Sequence, residues 1–183
     1  MKANVLAGFV VMLLAGSAVS EPPDLSKLPK PQKEHEWLQQ FAGEWESDLE
    51  IYFEPNKPIK VKGTESARSL GGFWVVSEFS CTIMDAPMKG VITLGYDPEK
   101  KQFVGTMVDS MTSHLWKYVG TLDSTGKILT LETSGPCPRK PGTISKFKEV
   151  FEFKSKDQRV FTSSMQEEDG SWSTAMIMNS RRK

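Results

Sequence analysis

The chain has 183 residues, with 23 Lys and Arg balancing 23 Asp and Glu, and 38% hydrophobic residues. This is the composition of a soluble globular chain, long enough for one domain with a real core. A formal net charge of zero, with no basic arm, excludes the electrostatic footprint of a nucleic-acid binder.

Residues 1–20 read as a signal peptide. Lys2 supplies a positive start, Val5 to Ala15 is an apolar run broken by Gly8, and Ala18 and Ser20 fit an A-x-S cleavage site. The expectation is cleavage after Ser20 and a periplasmic or secreted protein. The run is short for a membrane helix, and no second run of spanning length follows, so no membrane span is expected after cleavage. Residues 21–32 (EPPDLSKLPKPQ) predict an extended linker. The domain proper is expected over 33–183.

It opens with KEHEWLQQFAG, where Trp37, Leu38 and Phe41 share one face and Gly43 stops a short helix. The period then changes to two. GEWESDLEIYF sets Trp45, Leu49, Ile51 and Phe53 against Glu46, Asp48 and Glu50, as in a half-buried strand. A polar strand over 60–70 follows, then Gly71-Gly72 turns into FWVVSEFSCTI. Further strands are MKGVITLGYD, KQFVGTMVDS, TSHLWKYVGTLD, KILTLETS, SKFKEVFEFK, DQRVFTSSMQ and SWSTAMIMNSRR. Short turns join them, such as Asp97-Pro98-Glu99-Lys100 and Asp169-Gly170. GPCPRKPG (135–142) reads as a loop, because its three prolines remove backbone donors. About ten strands with hairpin connections predict an all-β fold: a single closed, antiparallel, up-and-down barrel with a short N-terminal helix. A two-sheet sandwich is the competing architecture.

Gly43-Glu44-Trp45 after a short helix resembles the opening of the lipocalin and calycin barrels. That resemblance implies that Trp45 plugs one end and that a late arginine packs on it. Arg181 or Arg182 is suitably placed, with Arg181 preferred. EHEWLQQFAGEWE, SLGGFWVVSE, GVITLGYDPEKKQFVGTMVDSM and LWKYVGTLDSTGKILTLE resemble the bacterial family DUF1579 over nearly all of the chain beyond the signal peptide. The family implies a calycin-like barrel and no particular activity.

Such a barrel encloses more volume than a few side chains fill, which favours binding of a small apolar or amphipathic molecule. Trp74, Glu78, Asp109, His114 and Trp116 are the candidate ligand contacts. An enzyme using Asp109, His114 and Glu65 as acid–base groups is the alternative, and a structural module of the cell envelope is a third reading. Glu65 and Asp109 fall in apolar phases, and a carboxylate facing inward needs a partner. Its near neighbour Arg68 has the opposite phase. His35 reads as a helix-packing residue. No metal site is expected, since the two histidines are far apart and no C-x-x-C pair exists. No cofactor is expected, with haem on His114 as the minor alternative. Cys81 and Cys137 pair or stay free with equal weight.

Overall fold

The computed structural model describes residues 28–183. Pro31–Lys183 form one compact unit. The proposed signal peptide lies outside the described residues, as does most of the linker. Helix α1 (Lys33–Leu38) continues into a 3-10 turn, Gln39–Phe41. Ten strands follow: β1 (Gly43–Glu54), β2 (Lys57–Leu70), β3 (Trp74–Ile83), β4 (Ala86–Asp97), β5 (Gln102–Asp109), β6 (Trp116–Leu122), β7 (Ile128–Pro136), β8 (Ile144–Ser155), β9 (Gln158–Gln166) and β10 (Trp172–Arg182). Every strand pairs antiparallel with its neighbours in sequence, and β1 pairs with β10, closing the barrel. The expected ten-strand up-and-down barrel is therefore present, and the sandwich is not. Among the described residues, no helix is long and apolar enough to cross a membrane.

Three of the boundaries that differ from expectation have a local cause. β2 starts at Lys57, because Asn56 takes the left-handed conformation (φ 61°) and completes the turn with Pro55. β6 starts at Trp116 rather than four residues earlier. Asp109 Oδ1 accepts the backbone N–H groups of Met111 and Thr112, folding that stretch into a turn. β7 runs on through Gly135 and Pro136, since a proline at a strand end removes one donor only.

Helix α1 and the 3-10 turn plug one end of the barrel. His35 is buried. Its Nδ1 accepts the Gln32 N–H and its Nε2 donates to the Tyr96 carbonyl. Trp37 Nε1 donates to the Gly126 carbonyl at 2.7 Å, and Gln39 Nε2 to that of Gly72. The plug is thus pinned to three separate turns or strand ends. Its apolar face packs Trp37 and Phe41 edge-on against Phe103, Phe151 and Phe153, with ring centroids 5.0–5.6 Å apart. Such pairs add about 0.5–1.5 kcal/mol each beyond area burial. Several strand glycines make room for a ring. A Cβ at Gly90, Gly95 or Gly135 would overlap a ring on the adjoining strand, respectively that of Phe79, Trp74 and Trp116.

Candidate functional site

Alternation along each strand settles which side chains enter the lumen. On β1 these are Trp45, Ser47 and Leu49, all buried. Trp45 lies at the plugged end, and its indole N–H donates to the Phe41 carbonyl at 2.8 Å. Its ring lies between two cations. Arg159 Cζ is 4.3 Å from the ring centroid and Arg182 Cζ is 4.2 Å. The arginine on Trp45 is therefore Arg182 and not the preferred Arg181, which is exposed. Register explains the correction: Trp45 lies opposite Arg182, whereas Arg181 lies opposite Glu46 and shares its outward phase. Arg182 also donates to the carbonyls of Gln40, Ala42 and Lys156. A Cβ at Gly43 would overlap Arg182 Nη1, and Gly43 has φ +131°, so only glycine fits there.

Above this plate sits a buried ion pair. Glu65 does face inward, and its partner is Arg159, not Arg68, which is exposed on the outer wall. Arg159 Nη2 donates to Glu65 Oε2, while Ser77 Oγ donates to Oε1 at 2.6 Å. Arg159 is 1% exposed, and its Nε and Nη1 have no partner. Ser47 and Ser180 share a hydrogen bond of 2.8 Å across the β1–β10 seam.

A second polar group lies on β8 and β9, further towards the unplugged end. Glu149 on β8 is buried, and its Oε1 accepts from Ser163 Oγ at 3.1 Å. Its Oε2 has no partner, and neither do Thr133 Oγ1 on β7 and Trp116 Nε1 on β6. Burial without a counter-charge pushes the Glu149 carboxyl up to about 8. Nearby Tyr118 is also pushed well up, by burial and then by Glu149 and Asp109. The sulfur atoms of Met107 and Met165 accept from Tyr118 and Cys137 respectively. Ile92, Met107, Met176 and Met178 complete an apolar wall and are only partly buried.

Among the candidate ligand contacts, only Trp116 lines the lumen. Trp74 and Glu78 are exposed on the outer wall, because Val75 and Ser77 take the inward phase of β3. Asp109 and His114 sit at the rim opposite the plug. His114 precedes β6, and its Nε2 donates to the Ser134 carbonyl at 3.0 Å, so that nitrogen is engaged. Glu65, Asp109 and His114 each hold separate partners and share no hydrogen bond, so the acid–base trio is not assembled. Cys81 and Cys137 are both free thiols, and the disulfide is not formed. Cys81 on β3 donates to Met88 on β4, while Cys137 follows β7, so that β4, β5 and β6 intervene around the wall. Among the described residues, no group of three His, Cys, Asp or Glu side chains could hold a metal ion.

Five turns surround the unplugged end, and each carries an exposed apolar side chain close by: Phe53, Met84, Met111 with Leu115, Ile144, and Trp172. The 137–143 loop is strapped to this rim. Arg139 is paired with Glu167 and donates to Ser173 and to the carbonyls of Tyr52 and Thr174. An open groove of about 700 Å³ runs between Cys137–Lys146 and Gln166–Asp169. A smaller one of about 480 Å³ crosses β2 to β5.

Residues 30–182 match the family model described as protein of unknown function DUF1579. The chain belongs to the DUF1579 family. No curated protein matches the sequence. Among solved structures, this DUF1579 barrel is similar to Rv2717c from M. tuberculosis, with a TM-score of 0.60 and 14% identity over 84% of this chain and 99% of that one. It is also similar to the S-type phycobiliprotein lyase CPES from Guillardia theta, with a TM-score of 0.57 and 13% identity over 83% and 93%. At these identities the likeness concerns the DUF1579 fold alone.

Proposed function

We propose that this protein is an exported binding barrel that takes a small amphipathic molecule into its lumen through the unplugged end. One observation carries the reading. Five polar atoms of lumen-facing side chains are buried without a partner: Arg159 Nε and Nη1, Trp116 Nε1, Thr133 Oγ1 and Glu149 Oε2. An unmet buried polar group costs about 1–3 kcal/mol, so native interiors rarely keep several without water or a ligand to meet them. Partly buried Met107, Met176 and Met178 offer an adaptable apolar wall beside them. Exposed apolar residues around the rim suit passage of an apolar solute. Export rests on the signal-like pattern of residues 1–20.

Native mass spectrometry of the protein isolated from its own cell envelope tests the reading. The expected result is a retained small molecule that leaves on denaturation. A bare polypeptide mass, together with no uptake of the apolar dye Nile red, would overturn it.

A further inference from the structure

We propose that the lumen selects an uncharged ligand that presents a carbonyl oxygen, or an equivalent neutral acceptor, to Glu149, Thr133 and Trp116, with Glu149 as a donor. This rests on the lumen being the ligand site and names the chemistry that the site accepts.

The three residues stand on consecutive strands. Thr133 is opposite Phe147 and Glu149 is opposite Leu131, while the Trp116 ring lies over Gly135 on the adjoining strand. In the inward phase, Trp116 to Thr133 to Glu149 is therefore a run of diagonal neighbours, about 7–8 Å from one to the next. Glu149 and Thr133, one diagonal apart, can meet a common group across such a span, and Trp116 stands one diagonal further along the same wall. Each has a polar atom that is buried and unpartnered. Trp116 Nε1 is a donor only, and the Thr133 hydroxyl donates or accepts.

Glu149 decides the sign. Its Oε1 already accepts from Ser163, and no cation pairs with it among the described residues. A buried carboxylate with one hydrogen bond and no counter-charge holds its proton, which leaves Oε2 to donate. The site is then a set of donors without positive charge. Such a set matches the two lone pairs of a ketone, ester, amide or quinone oxygen.

Charge elsewhere in the lumen points the same way. Arg159 is neutralised by Glu65, and Arg182, which donates to backbone carbonyls at the plugged end, is paired with Asp157 at 3.5 Å. An anionic ligand finds no unbalanced cation, and a carboxylate near Glu149 would be repelled once Glu149 ionised. The titratable groups around Glu149 are few. Tyr118 from β6 feels it, and Asp109 from β5 lies beyond Tyr118, at the rim. β7 presents Leu131 and Thr133, and β9 presents Ser163.

The test uses Prodan, a neutral fluorescent ketone, against anilinonaphthalene sulfonate, an anionic dye of similar size. Both are titrated into the folded protein at about pH 6.5 and about pH 9.5, with far-UV circular dichroism confirming the fold at each pH. Prodan affinity is expected to fall about tenfold or more at the higher pH as Glu149 becomes a repelling carboxylate. Glu149→Gln, which keeps an N–H donor and cannot ionise, is expected to abolish this fall and to bind Prodan more tightly than wild type at the higher pH. Prodan binding that is flat with pH, or a fall that persists in Glu149→Gln, overturns the inference. Sulfonate binding as tight as Prodan binding overturns it too, while leaving the lumen as a ligand site. If neither dye binds at either pH, the binding-barrel reading itself fails.

Discussion

The guanidinium of Arg182 covers the Trp45 indole, with Cζ 4.2 Å from the ring centroid. The same side chain donates to three backbone carbonyls, two of them in the segment that plugs the barrel. It therefore ties together the last strand, the first strand and the plug. Arg182→Ala removes a partly desolvated cation–π contact and several charge-assisted hydrogen bonds. A loss of about 2–3 kcal/mol is expected, read as a lower urea midpoint. Arg181→Ala, exposed on the outward phase, should stay within about 0.5 kcal/mol. Equal losses at the two positions would contradict this assignment.

The Glu65–Arg159 pair should show strong coupling. Glu65→Leu strands a buried guanidinium, and Arg159→Met strands a buried carboxylate; each is expected to cost about 3–5 kcal/mol. The double variant leaves neither charge alone, so it should be more stable than the sum of the two losses predicts. A urea-denaturation cycle measures this directly. Additive losses would mean that the two side chains do not meet in solution.

Glu149 should leave a signature in the pH dependence of stability. Its carboxyl rises from the ordinary 4.5 to about 8 in the fold. Between those values the unfolded chain has released the proton and the folded chain keeps it. Stability contributed by the protonated group is complete below about 4.5 and drains away as pH rises towards 8. The slope is about 1.4 kcal/mol per pH unit, or about 3 kcal/mol by neutral pH. Glu149→Gln should flatten this decline and raise the urea midpoint at about pH 7.5 relative to wild type. Parallel pH profiles for the two proteins would rule the ionisation out.

Two strand glycines should respond differently to a methyl group. A Cβ at Gly135 meets the ring of Trp116, a side chain that can swing away. A Cβ at Gly120 meets the Thr130 carbonyl and the Leu131 Cα, which are backbone of the adjoining strand. Gly135→Ala is expected to cost about 1–3 kcal/mol and to shift the tryptophan emission. Gly120→Ala should cost more, because β6 and β7 must separate. Comparable thermal midpoints for the two variants would refute this.

The barrel was legible because alternation is a direct consequence of one wet and one dry face. In β1 and β8 the period of two is clean, and the apolar row of β1 faces inward as expected, up to Phe53, which is exposed at the rim. β3 is different: Phe73, Trp74, Val75 and Val76 put apolar groups in both phases, so nothing local indicated that Trp74 and Glu78 would face out. The lumen chemistry went unread for a related reason. Glu149 stands in the row of Phe147, Phe151 and Phe153, and Arg159 stands in the row of Phe161 and Met165. A charged residue inside an apolar row was the available signal. Their partners lie across the barrel, out of reach of any local pattern. Arg181 and Arg182 are adjacent, and only the β1–β10 register separates them.

That register has a consequence for how the chain reaches its native state. The seam between β1 and β10 joins the segments furthest apart in the domain, and the second cation on Trp45 arrives only with β10. Nine hairpins can form as neighbours emerge, yet the sheet keeps two unsatisfied edges until the tenth strand is present. Closure of so distant a contact is slow relative to hairpin formation. A partly synthesised chain therefore exposes an open edge, and this interval is when it is most prone to pair with another copy.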